Sequence, residues 1–119
     1  DERIRLESVQ NAIEQTKTAV MTFLGERFPY TATPWFWSDQ YQLKLQIAGL
    51  SRGYDQVVIR GTPTEAPFSV FYLRSGQLIA VEAVNSPKEF MIGKKLISAR
   101  TSVPAERLAE VEFDLSTLV

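Results

Sequence analysis

Residues 67–84 read PFSVFYLRSGQLIAVEAV and decide the fold class. Two runs rich in β-branched and aromatic residues, 67–73 and 77–84, flank the pair Ser75-Gly76. Strand-forming runs around a short glycine-containing link are typical of a β-hairpin. The stretch therefore predicts two adjacent antiparallel strands.

Two more strands are predicted upstream of this hairpin. Residues 41–48 place Leu43, Leu45 and Ile47 on one face and polar residues on the other. A period of two is typical of an antiparallel strand with one wet face. Residues 55–60 are β-branched and bounded by glycines. The links between these strands are short, which favours a meander.

A helix is predicted before the strands, because apolar residues recur at three- and four-residue steps. Ser8 is a plausible N-cap, and Gly25 follows the last periodic residue, where a left-handed conformation is favoured. The predicted stripe consists of Val9, Ala12, Ile13, Thr16, Ala19, Val20, Phe23 and Leu24.

Helices are also predicted after the strands. Residues 86–89, Ser-Pro-Lys-Glu, match a capping box with proline at the first helical position, and Phe90, Met91 and Ile97 are expected to face the sheet. A short helix after Pro104 and a turn at 114–116 complete the chain. Strands followed by helices indicate an α+β fold: an antiparallel sheet of about four to five strands, flanked by an N-terminal helix and C-terminal helices.

Composition excludes several classes of function. The chain has 119 residues, enough for one domain, with a net charge of −1 and therefore no basic field for nucleic acid. No apolar run is long enough to span a membrane, so no membrane partner is expected. There is no cysteine and no histidine, which removes thiol catalysis, the common serine triads and most zinc sites. The lack of disulfides fits a reducing compartment, and a cytoplasmic location is expected.

No catalytic motif stands out. The six glycines are too widely spaced for a dinucleotide or phosphate loop, so tight binding of FAD or NAD(P)H to this chain is not expected. The carboxylates show no spacing that separates them from ordinary surface residues. Enzyme activity in the isolated chain is therefore not predicted.

Two stretches have features that point to ligand binding beyond ordinary core or surface residues. At 7–12 an extended segment meets the predicted helix, where free amides and the helix dipole favour an electron-rich group; an ordinary capped helix is the alternative. Residues 34–41 hold four aromatic side chains, which form either a packing cluster or a surface for a planar ligand.

These stretches, RIRLESVQNA at 3–12 and PWFWSDQY at 34–41, resemble the C-terminal region of putidaredoxin reductase-like, FAD-dependent ferredoxin reductases. Such enzymes serve cytochrome P450 and aromatic-ring dioxygenase systems. The resemblance continues through AGLS (48–51), GYD (53–55), RG (60–61), FSVFYL (68–73) and AVN (83–85), and weakens after residue 100.

The resemblance implies a parent protein that passes electrons from NAD(P)H through FAD to a [2Fe-2S] ferredoxin. Residues 1–25 would be the tail of its FAD-binding domain, a strand end plus a helix, and residues 26–119 its C-terminal interface domain. Val9 and Gln10 would address the pyrimidine side of the flavin with their amides, and Trp37 would lie close to the flavin. Some relatives have tryptophan where this chain has Val9.

The resemblance also places the ferredoxin-docking surface at the aromatic stretch, with Trp37 and Trp35 as the docking residues. The alternative is a stand-alone protein-binding or dimerisation domain that shares only the fold. Helix 9–24 discriminates between the two, because in a fragment its apolar stripe has lost the partners that the FAD-binding domain would provide. Self-association through this helix, or its folding back onto the sheet, is expected.

Overall fold

The computed structural model describes residues 3–119, so residues 1 and 2 of the predicted FAD-domain tail lie outside the described part. Nine elements follow one another: α1 (Val9–Phe23), β1 (Trp35–Gln40), β2 (Leu43–Gly49), β3 (Gln56–Thr62), β4 (Glu65–Arg74), β5 (Gln77–Val84), α2 (Pro87–Ala99), α3 (Ala105–Ala109) and the 3-10 helix η1 (Leu115–Leu118). The predicted α+β class is confirmed. The strand end expected before the helix in the FAD-domain tail is not seen, since residues 3–7 form no strand.

The five strands form one antiparallel sheet in the order β1-β2-β5-β4-β3. Hairpins join β3 to β4 and β4 to β5, whereas the chain crosses from β2 to the far edge to begin β3. The meander prediction is therefore right for β3–β5 and wrong for the β2–β3 link. The predicted turn at 75–76 is confirmed, because Ser75 and Gly76 have φ values of 51° and 75°. Such positive φ angles suit a tight hairpin turn.

The aromatic stretch 35–40 is the strand that sequence patterning does not reveal. Its residues Trp35, Phe36 and Trp37 are all large and apolar, so no alternation marks them as a strand. In the structure β1 pairs along its whole length with β2, from Trp35 opposite Ala48 to Gln40 opposite Leu43. β1 is an edge strand, which leaves its aromatic side chains partly exposed.

The two faces of the sheet differ. The helix face is the one that α2 covers, and its side chains form the core together with α2 and the C-terminal segment. Phe71, Val81 and Ala48 on this face are fully buried. Gly93 of α2 permits the close approach, because an added Cβ would lie 2.7 Å from Cγ1 of Val81. The buried core consists of Ala48, Val58, Phe71, Leu73, Leu78, Val81, Ala83, Phe90, Ile92, Leu96, Val103, Leu108 and Leu115.

The opposite face, here called the open face, carries apolar side chains without a cover in residues 3–119. One cross-strand row on it joins Phe36, Ile47, Glu82, Val70 and Ile59. None of these five side chains is buried. The prediction that β2 has one wet and one dry face is thus wrong, since its leucines lie on the open face while Ala48 is buried beneath α2.

The start of α2 differs from the predicted capping box. Ser86 is the N-cap and Pro87 occupies the first turn, but the Ser86 hydroxyl donates to the carbonyl of Val84 and forms no cap bond. Glu89 approaches Arg60 instead, with 3.7 Å between Nε and Oε1. Phe90 is buried as predicted, whereas Met91 is 52% exposed and does not face the sheet.

Arg60 joins the sheet to the C-terminal segment. Its side chain is buried, and Nη1 donates to the carbonyls of Leu108 and Glu110. Nη2 donates to the carbonyls of Val111 and Phe113 at 2.9 and 2.8 Å. The guanidinium fork thus satisfies four carbonyls of a segment that has little regular structure of its own.

Asp114 anchors the last helical turn at the surface. Its carboxylate accepts from the Ser116 amide at 3.0 Å and from Lys88 Nζ at 3.0 Å. The Ser116 amide, followed by Lys88, lowers the pKa of Asp114 from 3.8 to about 2. Hydrogen bonds to the charged form are the cause, since the group itself is exposed.

We expect Arg60→Met to destabilise the chain by about 3 kcal/mol, because it leaves four carbonyls of the C-terminal segment and the Glu89 carboxylate without their partner. Urea unfolding followed by circular dichroism measures the loss. Arg74→Met, at the exposed end of β4, is the matched control and should change the free energy of unfolding by less than about 0.5 kcal/mol. Equal effects of the two substitutions would contradict the anchoring role of Arg60.

Candidate functional site

Helix α1 is attached to the rest of the chain through its polar side. Gln10 and Asn11 are its two buried residues, at 9% and 6% exposure. Asn11 Nδ2 donates to the carbonyl of Leu6 at 2.8 Å, and the Tyr30 hydroxyl donates to Asn11 Oδ1 at 2.8 Å. Gln10 Oε1 accepts from the backbone amide of Trp35 at 3.3 Å. Side-chain hydrogen bonds, rather than apolar packing, therefore hold this helix beside β1.

The apolar stripe of α1 faces outward. Val9 and Val20 are 60% and 51% exposed, and Phe23 is 92% exposed. The stripe has not folded back onto the sheet. A surface helix normally turns its apolar side towards the core. Helix α1 is reversed in this sense, because its polar side faces the rest of the chain and its apolar side faces solvent.

The N-terminal end of α1 retains free donor capacity. The Ser8 hydroxyl accepts from the amide of Asn11 at 3.1 Å, and the Ser8 carbonyl accepts from the amide of Ala12. Helix geometry leaves the preceding amides, those of Val9 and Gln10, outside the internal ladder. Together with the helix dipole they favour an electron-rich group at this end.

A cavity of about 360 Å³ lies beside this helix end, on the open face of the sheet. Phe36 and Ile47 form part of its apolar wall, and Glu7 and Ser8 border it where α1 begins. Its floor depends on Gly49, whose φ is +78° and where an added Cβ would lie 2.0 Å from the carbonyl oxygen of Ile79. Any side chain at this position would therefore displace the backbone.

Glu82 provides a charged group on the wall of this cavity. Its Oε2 accepts from the hydroxyl of Tyr72 at 3.1 Å. Burial, followed by the charge of Glu82, raises the pKa of Tyr72 above its ordinary value of 10.0. The tyrosine therefore stays protonated and acts as a hydrogen-bond donor.

An aromatic cluster lies on the helix face of β1. The rings of Trp35 and Trp37 are 5.5 Å apart with an angle of 31° between their planes. Phe90 of α2 contacts Trp35 with 5.9 Å between ring centroids, and Lys94 Nζ lies 4.7 Å from the centroid of the Trp35 ring. Trp35 is thus held between the neighbouring tryptophan and two residues of α2.

The structure brings together three of the four residues predicted for the site. Gln10 bonds the backbone of Trp35, and Trp35 contacts Trp37, which is 40% exposed. Val9 lies at the exposed end of α1. Trp37 is on the helix face, whereas the cavity beside α1 opens on the other face and is lined by Trp35 and Phe36.

Sequence reasoning missed Lys94 as part of the aromatic cluster. The signal was present, because Phe90 and Lys94 are four residues apart and share one face of a helix. Within residues 3–119 there is no group of side chains suited to hold a metal ion, and no helix is long and apolar enough to cross a membrane.

Solved ferredoxin reductases have the same arrangement. A ferredoxin reductase from Rhodopseudomonas palustris matches 98% of this chain with a TM-score of 0.91 and 45% identity, over 29% of its own length. The covalent putidaredoxin reductase–putidaredoxin complex matches 99% of the chain with a TM-score of 0.93 and 40% identity, over 28% of that chain. The fold is therefore that of the C-terminal region of ferredoxin reductases.

Sequence comparison gives the same class and its family. The ferredoxin reductase subunit of 5,5'-dehydrodivanillate O-demethylase from a Sphingobium species is 46% identical over 98% of this chain, and putidaredoxin reductase of Pseudomonas putida is 40% identical over 100% of it. The chain spans 28% of the length of each. The Reductase C-terminal family model matches residues 35–119, and the chain belongs to this family.

We expect Asn11→Ala to loosen α1 without unfolding the sheet, because the substitution removes the bonds to Leu6 and Tyr30. Hydrogen exchange of the α1 amides should accelerate about tenfold, while exchange in β4 and β5 stays unchanged. Gln15→Ala, at an exposed position of the same helix, is the control and should have little effect. Uniform acceleration across helix and sheet would show that α1 is not separately anchored.

Proposed function

We propose that this chain is the C-terminal part of a flavoprotein that passes electrons from NAD(P)H through FAD to a [2Fe-2S] ferredoxin. Residues 1–25 are the tail of the FAD-binding domain and residues 26–119 the interface domain. The observation that carries the proposal is the reversed helix α1. Its apolar side faces away from this chain, as expected for a helix that belongs to the core of a neighbouring domain. The names of the relatives support the same reading.

The flavin side of the proposed site is the N-terminal end of α1. A reduced flavin carries negative charge near N1 and O2 of its pyrimidine ring, which free amides and a helix dipole stabilise. We assign this role to the amides of Val9 and Gln10. The side chain of Gln10 has a separate function, because its bond to the Trp35 amide fixes the helix end against β1.

Trp37 is the residue that we place between the flavin and the partner protein. It lies two positions after Trp35 on the same edge strand and is 40% exposed, with its side chain on the helix face rather than on the face where the cavity beside α1 opens. Trp37 can therefore meet a partner protein directly, whereas Trp35, which lines the cavity and contacts Trp37, lies between it and the flavin side. When bound, FAD would supply the hydride and single-electron chemistry; this chain covers and orients the cofactor.

The ferredoxin side is the exposed helix-face edge of β1. Trp37 presents a planar apolar surface, and Trp35 supports it from within the aromatic cluster. Lys94 adds a positive charge directly above Trp35. Exposed tryptophans are side chains that protein interfaces favour.

In the full-length reductase we expect Trp37→Ala to slow electron delivery to ferredoxin about tenfold or more, while reduction of the flavin by NADH changes little. The reason is that the substitution removes a docking surface without touching the nucleotide sites. Stopped-flow spectroscopy measures the two half-reactions separately.

The control for this experiment is Tyr41→Asn, in the turn between β1 and β2. Tyr41 is fully exposed with a φ of 54°, a conformation that asparagine tolerates. Tyr41→Asn should leave the rates of both half-reactions unchanged. Equal slowing of both half-reactions by Trp37→Ala would contradict a role on the ferredoxin side.

The alternative function is that of a stand-alone dimerisation or protein-binding domain, and the exposed stripe of α1 is the observation that favours it. A dimer interface would use that stripe in a closed, two-fold arrangement. A helix separated from its neighbouring domain would instead associate weakly and without a fixed stoichiometry.

We expect the isolated chain to self-associate in a concentration-dependent, open-ended manner, and Phe23→Asp to abolish this association. Analytical ultracentrifugation gives the stoichiometry. Met91→Asp, which places the same charge at an exposed position of α2, should leave the association unchanged. A discrete dimer that persists after dilution below about 1 μM would favour the dimerisation domain.

A further inference from the structure

One cross-strand row on the helix face extends from edge to edge of the sheet. Arg60 on β3 lies opposite Ser69 on β4, Ser69 opposite Ala83 on β5, Ala83 opposite Gln46 on β2, and Gln46 opposite Trp37 on β1. Side chains paired in this way point to the same face. The buried arginine and the exposed tryptophan are therefore the two ends of one row.

Helix α2 packs across the neighbouring row. That row includes Val81 at the centre of the sheet and Trp35 at its edge, and Gly93 brings the backbone of α2 against Val81. Because a Cβ at Gly93 would be only 2.7 Å from Val81 Cγ1, the helix and the sheet are in tight van der Waals contact here. The backbone of α2 therefore cannot move closer to the sheet at this point without displacing Val81.

The first turn of α2 is held at the arginine end of the sheet. Four carbonyls of the C-terminal segment fix the Arg60 guanidinium, and its Nε lies 3.7 Å from Glu89 Oε1. Glu89 side-chain exposure is 23%, so solvent screens this pair only in part. Arg60 is thus the fixed partner, and Glu89 is the group that it holds.

Helix α2 also contacts the tryptophan pair from its first two turns. Phe90, next to Glu89, contacts the ring of Trp35, and Lys94 one turn later lies above that ring. Trp35 in turn contacts Trp37. A continuous set of contacts therefore leads from the arginine end of the sheet to the tryptophan pair.

We propose that Arg60 and Glu89 are positioning residues for the Trp35–Trp37 surface, acting through the tilt of α2. The functional meaning of this positioning rests on the proposed ferredoxin-docking role, whereas the positioning itself is a property of this chain. The ion pair fixes the first turn of α2, that turn fixes Phe90 and Lys94, and these two residues fix the orientation of the tryptophan rings.

The positioning is tested in the 119-residue chain labelled with 5-fluorotryptophan, which contains two tryptophans and so gives two ¹⁹F resonances. Glu89→Ala should move both resonances by more than their linewidths, because the rings change orientation. Glu89→Gln keeps an oxygen acceptor at the same position, and its resonances should lie closer to those of the unsubstituted chain.

Lys88→Ala is the matched control for lost stability. Lys88 is the preceding residue and has its own ion pair with Asp114, at 3.0 Å, whereas the ring contacts of the cluster are made by Trp35, Trp37, Phe90 and Lys94. It should lower the melting temperature without moving the resonances. Unshifted resonances in Glu89→Ala, or equal shifts in Lys88→Ala, would overturn the positioning role.

A second measurement in the full-length reductase separates this inference from the proposed function. Glu89→Ala should raise the KM for ferredoxin severalfold, while flavin reduction by NADH keeps its rate. If the ¹⁹F resonances move but the KM does not, the positioning is upheld and the docking role of the tryptophan pair is wrong. If neither changes, the inference itself fails.

Discussion

The Arg60 guanidinium is the interaction on which the rest of the structure depends. It is a buried cation, and burial is tolerated because four carbonyls accept its hydrogens and a carboxylate lies nearby. Those carbonyls belong to residues 108–113, where the chain has only one short helix. Without the arginine, this segment would have to satisfy its carbonyls in water and could not close the end of the core. One side chain therefore ties the edge strand β3, helix α2 and the C-terminal segment into one body.

The second constraint is the distribution of apolar surface. The helix face of the sheet is covered within the chain, whereas the open face and the outer side of α1 carry apolar side chains without a cover in residues 3–119. Hydrogen bonds between the side chains of Gln10 and Asn11 and the rest of the chain hold α1 in place although its apolar side points outward. The helix is therefore positioned independently of whatever covers its stripe. In the proposed two-domain arrangement, such a helix would remain attached to the interface domain while its apolar side packs into the neighbouring domain.

The sequence was informative where a single local rule decides the structure. Strand β5 begins and ends at the predicted residues, because a Ser-Gly turn precedes it and residues of high strand propensity form it. The Ser8 cap of α1 was predicted from its residue type alone. Prediction failed where contacts distant in sequence decide. The capping box at Ser86 was wrong because Arg60, 29 positions before Glu89, attracts the glutamate. β1 was hidden by its uninterrupted aromatic residues, and the contact of Lys94 with Trp35 required the helix and the strand to be placed together.

Glu82 gives the open face a means of discrimination. It lies at the centre of an otherwise apolar row, and Tyr72 satisfies one of its oxygens. A fully apolar surface that covers this face would remove water from the second oxygen without providing a hydrogen-bond donor. The penalty is the hydration free energy of the carboxylate, which would then be lost without compensation. Only a surface with a donor at the matching place avoids that penalty. The carboxylate thus weakens the binding of mismatched surfaces more than it strengthens the binding of a matching one, and specificity arises from this difference.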